Sequence, residues 1–263
     1  MSIRYAARPP EERRNREVEA VQRQIWTRAV TVVFETDPAA IAAVLPPPLE
    51  PSAEATTART ARLRIATVDM GTGLKPFGAG WFGARCRHGS TEGEYALFMP
   101  MTTEQATIGG RETFGEPKKI ADVTLQLDGD RVLAYIERMG FRAAEINGVL
   151  GEELPGYEKD KVDFYFKLSP NPDGVGLDGD PPFVYCHRHE SARAVRRIEG
   201  EVKLMESPLD PVADFPIQSI VSMEYAEIAG TQRGEIVGRV PAESLLPYVH
   251  QRYDDLSVLG ASK

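Results

Sequence analysis

Short strand-like runs separated by turns constrain the fold of this chain more than any other feature of its sequence. Residues 123–127, the turn Asp128-Gly129-Asp130-Arg131 and residues 132–136 have the pattern of two antiparallel strands joined by a tight turn. Alternation over residues 61–68 and an apolar run at 95–101 predict two more strands. A series of strands connected in this way predicts an antiparallel sheet or barrel.

The remaining pattern adds strands and only a few helices. Residues rich in β-branched and aromatic side chains predict strands over 25–34, 161–168, 183–189 and 197–204. Asp37-Pro38 predicts the start of a short alanine-rich helix that ends at Pro46, because Asp caps a helix and Pro suits its first turn. A last helix is predicted from Pro241 to Arg252. The fold class is therefore mainly β with a few helices.

The sequence divides into a charged N-terminal segment and one domain. Residues 1–24 form a charged arm or helix, and residues 25–263 show neither an internal repeat nor a low-complexity linker. Strands do not alternate with long helices, which argues against a doubly wound sheet. We therefore predict a single antiparallel, barrel-like domain over 25–263.

Charge and composition exclude several classes of function. The 263 residues include 31 basic and 39 acidic side chains, a net charge of −8, without the basic stripe that nucleic-acid binding requires. No run approaches the roughly 20 apolar residues that cross a membrane, and no signal peptide is apparent. Cys86 and Cys186 lack disulfide-framework and metal-site spacing, and we expect two buried thiols. These features predict a cytoplasmic protein that binds neither nucleic acid nor membrane.

Two adjacent lysines, Lys118 and Lys119, follow Pro117 and a glycine-containing segment with one aromatic residue. An amine is a nucleophile at neutral pH only when burial or a neighbouring cation destabilises its ammonium form. Two interpretations are open from these residues alone. The pair is either an ordinary solvated turn or a Schiff-base lysine beside a second cation.

The surrounding motifs decide between these interpretations. Gly110-Arg111-Glu112 followed by Pro117-Lys118-Lys119 resembles the signature of the acetoacetate decarboxylase superfamily. Other pieces occur in the family's order, including Thr36-Asp37, Gly93-Glu94-Tyr95 and the turn Ser169-Pro170-Asn171-Pro172-Asp173-Gly174. The resemblance covers roughly residues 25–250.

The resemblance implies a barrel that encloses the lysine, a homo-oligomer and chemistry without a cofactor. It assigns the imine to Lys118, while Lys119 would raise the local positive potential. Phe34, Met99 and Phe114 are candidate apolar wall residues for a small oxo-acid substrate, although core packing is the ordinary role of each.

The sequence departs from the decarboxylase pattern at the acidic and basic partners of the lysine. The family's two upstream glutamates correspond to about Arg64 and Ala79, neither of which is a carboxylate. The family's N-terminal arginine is approximated by Arg28, but one residue out of register, and such a slip reverses the face of a strand.

Two acidic residues near the lysine raise further alternatives. Glu116 replaces an aromatic residue of the family, and it either exchanges protons with Lys118 and holds its ammonium form or points to solvent. Glu112 lies in the motif as a substrate-binding candidate, or it has a structural role, paired with Arg111.

Missing glutamates favour aldolase-dehydratase chemistry, in which an enamine attacks an aldehyde co-substrate and water is then lost. Part of the superfamily lacks these glutamates and works in this way, with a tyrosine near the C-terminus, and Tyr248 is the candidate here. The alternatives are decarboxylation of acetoacetate or another β-keto acid, and a barrel that binds a small ligand without turnover.

The remaining motifs are weak. His187-x-His189 places two imidazoles on one strand face, but no third ligand is identified, and Arg188 between them favours a surface strand. We therefore predict no metal. Nucleotide-binding glycine motifs and a Gly-x-Ser-x-Gly elbow are absent from the sequence.

Overall fold

The computed structural model describes residues 3–7, 24–71 and 75–260, and it confirms a mainly β, barrel-like fold. Its helices are α1 (Pro38–Val44), α2 (Glu104–Phe114) and α3 (Ala242–Leu245), with 3-10 turns at Val212–Asp214, Leu246–Gln251 and Leu256–Leu259. The strands, in chain order, are β1 (Ile25–Glu35), β2 (Glu50–Pro51), β3 (Thr60–Asp69), β4 (Phe77–His88), β5 (Thr91–Met101), β6 (Lys118–Ile120), β7 (Asp122–Asp128), β8 (Arg131–Arg138), β9 (Phe141–Glu153), β10 (Tyr157–Phe166), β11 (Pro182–Leu204) and β12 (Ser219–Arg239).

Seven strands close into a barrel in the order β10-β5-β4-β3-β1-β12-β11, and the pairing of β10 with β11 completes the ring. The β5–β10 contact is parallel, and the other barrel pairings are antiparallel. The long strand β11 leaves the barrel to pair with β9, which continues the sheet through β8 and β7. Short β6 adds in parallel to β5. This addition brings Lys118 to the barrel.

The two faces of the barrel strands bury different side chains. On β1, Val30, Val32 and Phe34 belong to the large apolar core, which also contains residues of β7, β8, β9 and α1. The opposite face of the barrel strands carries charged residues that contact each other across non-adjacent strands, such as Arg64 of β3 and Glu190 of β11. Such contacts can form only through the interior of the barrel. The main apolar core is therefore outside the barrel, and the interior of the barrel contains charged residues together with smaller apolar clusters.

Most predicted elements are confirmed. The strand at 25–34 is β1, the turn at 128–131 joins β7 to β8, and Asp37 accepts the backbone N–H of Ala39 at the start of α1. In the described residues, no helix is long and apolar enough to span a membrane.

Two predicted details were wrong, one helix was not predicted, and one predicted segment lies mostly outside the described residues. The strands at 183–189 and 197–204 are parts of the single strand β11, and the last helix is only α3 followed by a 3-10 turn. Helix α2 was not predicted, because two glycines within it disfavour helix. The predicted arm over 1–24 falls mostly outside the described residues.

Candidate active site

Helix α2 and strand β6 position Lys118. Thr103 caps the start of α2, and Gly115 ends it in the left-handed conformation, with φ of 84°, while its N–H donates to the carbonyl of Arg111. A side chain at Gly115 would also meet the carbonyl oxygen of Phe166 at 2.6 Å. The chain therefore turns sharply after α2 and enters β6, where Lys118 lies opposite Met99 of β5.

The Lys118 amine contacts a buried carboxylate. Its Nζ lies 2.7 Å from Oε2 of Glu116, and the Lys118 side chain is only 14% exposed. The other oxygen of Glu116 accepts a hydrogen bond of 2.8 Å from Nη2 of Arg188. Burial alone would raise the pKa of Glu116, but the Lys118 ammonium and the Arg188 guanidinium outweigh it and hold the pKa below its usual value. Glu116 thus faces Lys118 rather than solvent.

The Lys118–Glu116 pair is packed against the backbone of α2 at Gly110. A Cβ at position 110 would lie 2.1 Å from Oε2 of Glu116 and 2.5 Å from Nζ of Lys118. Only glycine leaves room for both charged groups at this point. The glycine of the sequence motif therefore has a steric role at the site.

A chain of ion pairs continues through the barrel interior. Arg64 donates to both oxygens of Glu190 at 2.8 and 3.2 Å, and Nζ of Lys161 lies 3.1 Å from the same carboxylate. Arg62 pairs with Glu94 at 2.5 Å. Burial, reinforced by Arg62, lowers the pKa of Lys161 to about 8. The pKa of Glu190 lies well below its usual value because Arg64 and Lys161 outweigh its burial.

An apolar wall lies on the same side of β6 as Lys118. Met99, which pairs with Lys118, belongs to a second apolar cluster with Trp81, Tyr165 and Val184, and Phe114 of α2 packs against it. The ring of Phe114 also approaches Gly234 so closely that a Cβ there would meet it at 2.8 Å. The site therefore combines an amine, a carboxylate and an apolar wall.

Lys119 lies on the other face of β6 from Lys118 and contacts two aspartates. Successive strand residues point to opposite faces, and Nζ of Lys119 lies 2.9 Å from Oδ1 of both Asp210 and Asp254. Arg138 pairs with the second oxygen of each aspartate, which closes a ring of two cations and two anions. Because its charge is balanced within this ring, Lys119 adds little positive potential at Lys118.

The segment after α3 supports the backbone around Lys118. Arg252 donates to the carbonyl of Gly115 at 2.7 Å, and Arg111 donates to the carbonyl of Lys118 at 3.0 Å. Tyr248 is half-buried beside Pro117, where both line a cavity of about 20 Å³. Such a volume holds about one water molecule. Tyr248 therefore lies close to the lysine motif.

Three sequence-predicted residues are not brought to the amine. Arg28 is exposed, because it lies on the same face of β1 as Val30, while the inner face carries Ala29 at this point. Phe34 is fully buried in the outer apolar core. Glu112 is exposed on α2, and Arg111 donates to backbone carbonyls. These placements correct the substrate-binding roles expected for Arg28, Phe34 and Glu112.

Sequence reasoning missed the inward-facing charges, above all Arg188. His187 and His189 lie on the outer face of β11, where His187 is half-buried and His189 is exposed, whereas the surface position predicted for Arg188 is wrong. Arg188 instead points inward with Cys186 and Glu190. The alternation itself was the available signal. In the part of the chain that the structure describes, no group of three or more His, Cys, Asp or Glu side chains could hold a metal ion, and both cysteines are free and buried.

Comparisons with known proteins show which sequences and structures this chain resembles. A family model described as acetoacetate decarboxylase (ADC) matches residues 6–240. The acetoacetate decarboxylase of Chromobacterium violaceum is 23% identical over 205 residues, which cover 74% of this chain and 78% of that protein. The acetoacetate decarboxylase of Burkholderia multivorans is 26% identical over 203 residues, with coverage of 74% and 78%.

Solved structures share the fold at low sequence identity. Acetoacetate decarboxylase from Legionella pneumophila has a TM-score of 0.70 at 20% identity, covering 82% of this chain and 88% of that chain. The enduracididine biosynthesis enzyme MppR, complexed with pyruvate, has a TM-score of 0.70 at 14% identity, covering 84% and 92%. Another MppR structure is complexed with the condensation product of pyruvate and imidazole 4-carboxaldehyde.

Proposed function

The chain belongs to the acetoacetate decarboxylase family, and from this premise we propose that it is a cofactor-free lyase acting on a small oxo acid through an imine at Lys118. One observation carries the proposal: the Lys118 amine lies 2.7 Å from the buried carboxylate of Glu116. An amine that attacks a carbonyl must first lose a proton, and this carboxylate is close enough to take it.

Imine formation can be written with Lys118 and Glu116 alone. The ammonium gives a proton to Glu116, and the neutral amine attacks the keto carbon to form a C–N bond. The attacking nitrogen then gives one of its protons to the former carbonyl oxygen, which becomes a hydroxyl. Glu116 then returns its proton to this hydroxyl, which leaves as water and gives the protonated imine. The imine is an electron sink, and it serves more than one reaction.

We favour aldolase-dehydratase chemistry after this step. Loss of a proton from the carbon next to the imine gives an enamine, which forms a C–C bond to an aldehyde co-substrate. Loss of water and hydrolysis of the imine then release an unsaturated oxo acid and free Lys118. The position that resembles a decarboxylase glutamate carries Arg64, which is paired with Glu190 inside the barrel. The absence of that glutamate favours the reaction in which the substrate carboxylate is retained.

Decarboxylation of acetoacetate or another β-keto acid is the second candidate, and the family relationship favours it. In this reaction the C–C bond to the carboxylate breaks and CO₂ leaves. The electron pair of the broken bond forms the enamine, which is then protonated. A barrel that binds a small ligand without turnover is the candidate from another class.

Borohydride trapping tests the proposal. The protein is incubated with pyruvate or with acetoacetate, reduced, digested and mapped by mass spectrometry. We expect a stable adduct on Lys118 in the wild type and none in Lys118→Ala, while Lys203→Ala, at an exposed lysine, behaves as the wild type. Adduct formation with neither acid would contradict the imine and favour the binding protein.

A product assay separates the two reactions. Release of CO₂ from acetoacetate would favour decarboxylation, whereas an unsaturated acid formed from pyruvate and an aldehyde would favour the aldolase-dehydratase. We also propose, from the family resemblance, a cytoplasmic homo-oligomer.

A further inference from the structure

Arg188 is held on several sides within the barrel. Its Nη2 donates to Glu116 at 2.8 Å and lies 3.3 Å from the Tyr165 hydroxyl, while Nη1 donates to Gln232 at 2.5 Å and Nε to Asp163. A guanidinium has five N–H groups, and these contacts use most of them. The orientation of Arg188 is therefore fixed, and it has little capacity left for a substrate.

Glu116 is fixed as firmly as Arg188. Arg188 binds Oε1, Lys118 contacts Oε2, and the backbone at Gly110 closes the remaining side. The titratable and charged groups around this carboxylate are Lys118 from β6, Arg188 and Cys186 from β11, and Asp163 and Tyr165 from β10. Of these groups, Lys118 and Arg188 are the cations.

Imine formation removes one of the two cations that stabilise the Glu116 carboxylate, and Arg188 is the one that remains. When Glu116 takes the proton of Lys118, the ammonium that had stabilised the carboxylate disappears. Burial then favours the neutral acid, which would keep the proton. The Arg188 guanidinium cannot be deprotonated in a protein, so its positive charge stays constant while Lys118 changes its own. A permanent cation makes the proton easier to return.

We propose that Arg188 is a positioning residue that keeps the Glu116 carboxylate ionised and directed at the Lys118 amine, so that Glu116 returns each proton it accepts. The inference rests on the proposed imine chemistry at Lys118. It assigns a role to a residue that acts through Glu116 and does not contact the reacting carbon.

The first test measures Glu116 directly. The ¹³C chemical shift of its carboxyl group is followed against pH in the wild type, Arg188→Met and Arg188→Lys. We expect the titration midpoint to rise by roughly one pH unit or more in Arg188→Met. Arg188→Lys retains the charge and should lie closer to the wild type. An unchanged midpoint in Arg188→Met would overturn the inference, and this measurement needs no substrate.

The second test is a double-mutant cycle on the rate of reductive trapping with pyruvate. Arg188→Met should slow trapping by about tenfold or more in the wild-type background and move the acid limb of the pH profile upward. In the Glu116→Gln background it should have little further effect. Equal slowing in both backgrounds would mean that Arg188 does not act through Glu116. Arg197→Met removes an exposed arginine ion pair and serves as the control.

Two complications can be separated from the inference. If circular dichroism shows that Arg188→Met does not fold, Arg188→Gln carries both tests, because it also removes the positive charge but keeps a polar side chain. A wild-type-like midpoint and rate in Arg188→Gln would then overturn the inference. If the wild type forms no adduct with either acid, the imine proposal fails, whereas the ¹³C titration still reports on Arg188 and Glu116.

Discussion

Gly110 lies so close to Lys118 that a Cβ at position 110 would come within 2.5 Å of the lysine Nζ. The backbone of α2 therefore forms one wall of the space in which the amine meets Glu116. This contact explains why a residue that disfavours helix occurs inside an eleven-residue helix.

Gly110→Ala separates the geometry of the site from the stability of the fold. Alanine stabilises a helix by about 1 kcal/mol relative to glycine, which offsets part of the cost of moving the Glu116 and Lys118 side-chain ends that its Cβ would meet. We expect a melting temperature close to that of the wild type but at least about tenfold slower trapping on Lys118. Gly238→Ala, where a Cβ meets nothing within 4 Å, is the matched control. Wild-type trapping in Gly110→Ala would contradict the steric role of Gly110.

Lys119→Met should destabilise the protein rather than abolish the chemistry. It leaves Asp210 and Asp254 with only Arg138 as a partner, and breaking a buried ion pair costs about 3–5 kcal/mol. Urea unfolding at pH 7 measures this loss. Lys203→Met, which breaks an exposed pair, should change the unfolding free energy by about 0.5 kcal/mol or less. Lys118 should still form the adduct in the folded fraction. Complete loss of the adduct would instead support the expectation that Lys119 raises the positive potential at Lys118.

We expect the free energy of unfolding to fall at acidic pH, in part because Glu190 becomes protonated. Because the pKa of this carboxyl group is lower in the folded protein than in the unfolded chain, its stabilisation is complete above the unfolded value of about 4.3. It is lost as the pH falls toward the folded pKa.

Glu190→Gln should therefore reduce the unfolding free energy by about 3 kcal/mol at pH 7 and flatten its decline between about pH 5 and 2. Urea titrations across this range measure both effects. Glu152→Gln, at an exposed glutamate, is the control. An equally steep acid decline in Glu190→Gln would show that other carboxylates dominate.

Tyr248→Phe tests the step after imine formation. The half-buried side chain lies beside Pro117, and phenylalanine fills the same space without the hydroxyl. If the hydroxyl assists aldol condensation or dehydration, product formation should slow by about 10²-fold or more while trapping with pyruvate is unchanged. An undiminished rate of product formation would leave Tyr248 a packing residue.

Assembly is tested by light scattering. The proposed homo-oligomer should give a mass that is a multiple of 29.0 kDa at micromolar concentration. A mass equal to that of one chain would contradict it.

Local patterns were sufficient for much of the fold and for the lysine motif. Alternation located β3, the content of β-branched and aromatic residues located β1, and the turn at 128–131 located the β7–β8 hairpin. Helix α2 could not be predicted from helix propensity because it contains Gly109 and Gly110. The local sequence does not indicate which residues face each other across a barrel.

The residues that surround Lys118 in the folded protein could not all be predicted from local sequence patterns. Glu116 was a candidate because it is near Lys118 in the chain, whereas Arg188 reaches it only after β10 and β11 close the barrel. Arg28 was predicted to approximate the family's N-terminal arginine because of its distance from Thr36. Its side chain lies on the outer face of β1 and therefore does not reach the barrel interior.

The ring formed by Lys119, Arg138, Asp210 and Asp254 joins four separate parts of the chain. The strand that carries Lys118 is thus anchored by a residue synthesised long after it. We expect nascent chains that have not reached residue 254 to contain the lysine without its ordered surroundings. Reactive carbonyl compounds in the cell would then meet an organised amine only on chains whose synthesis has passed that point.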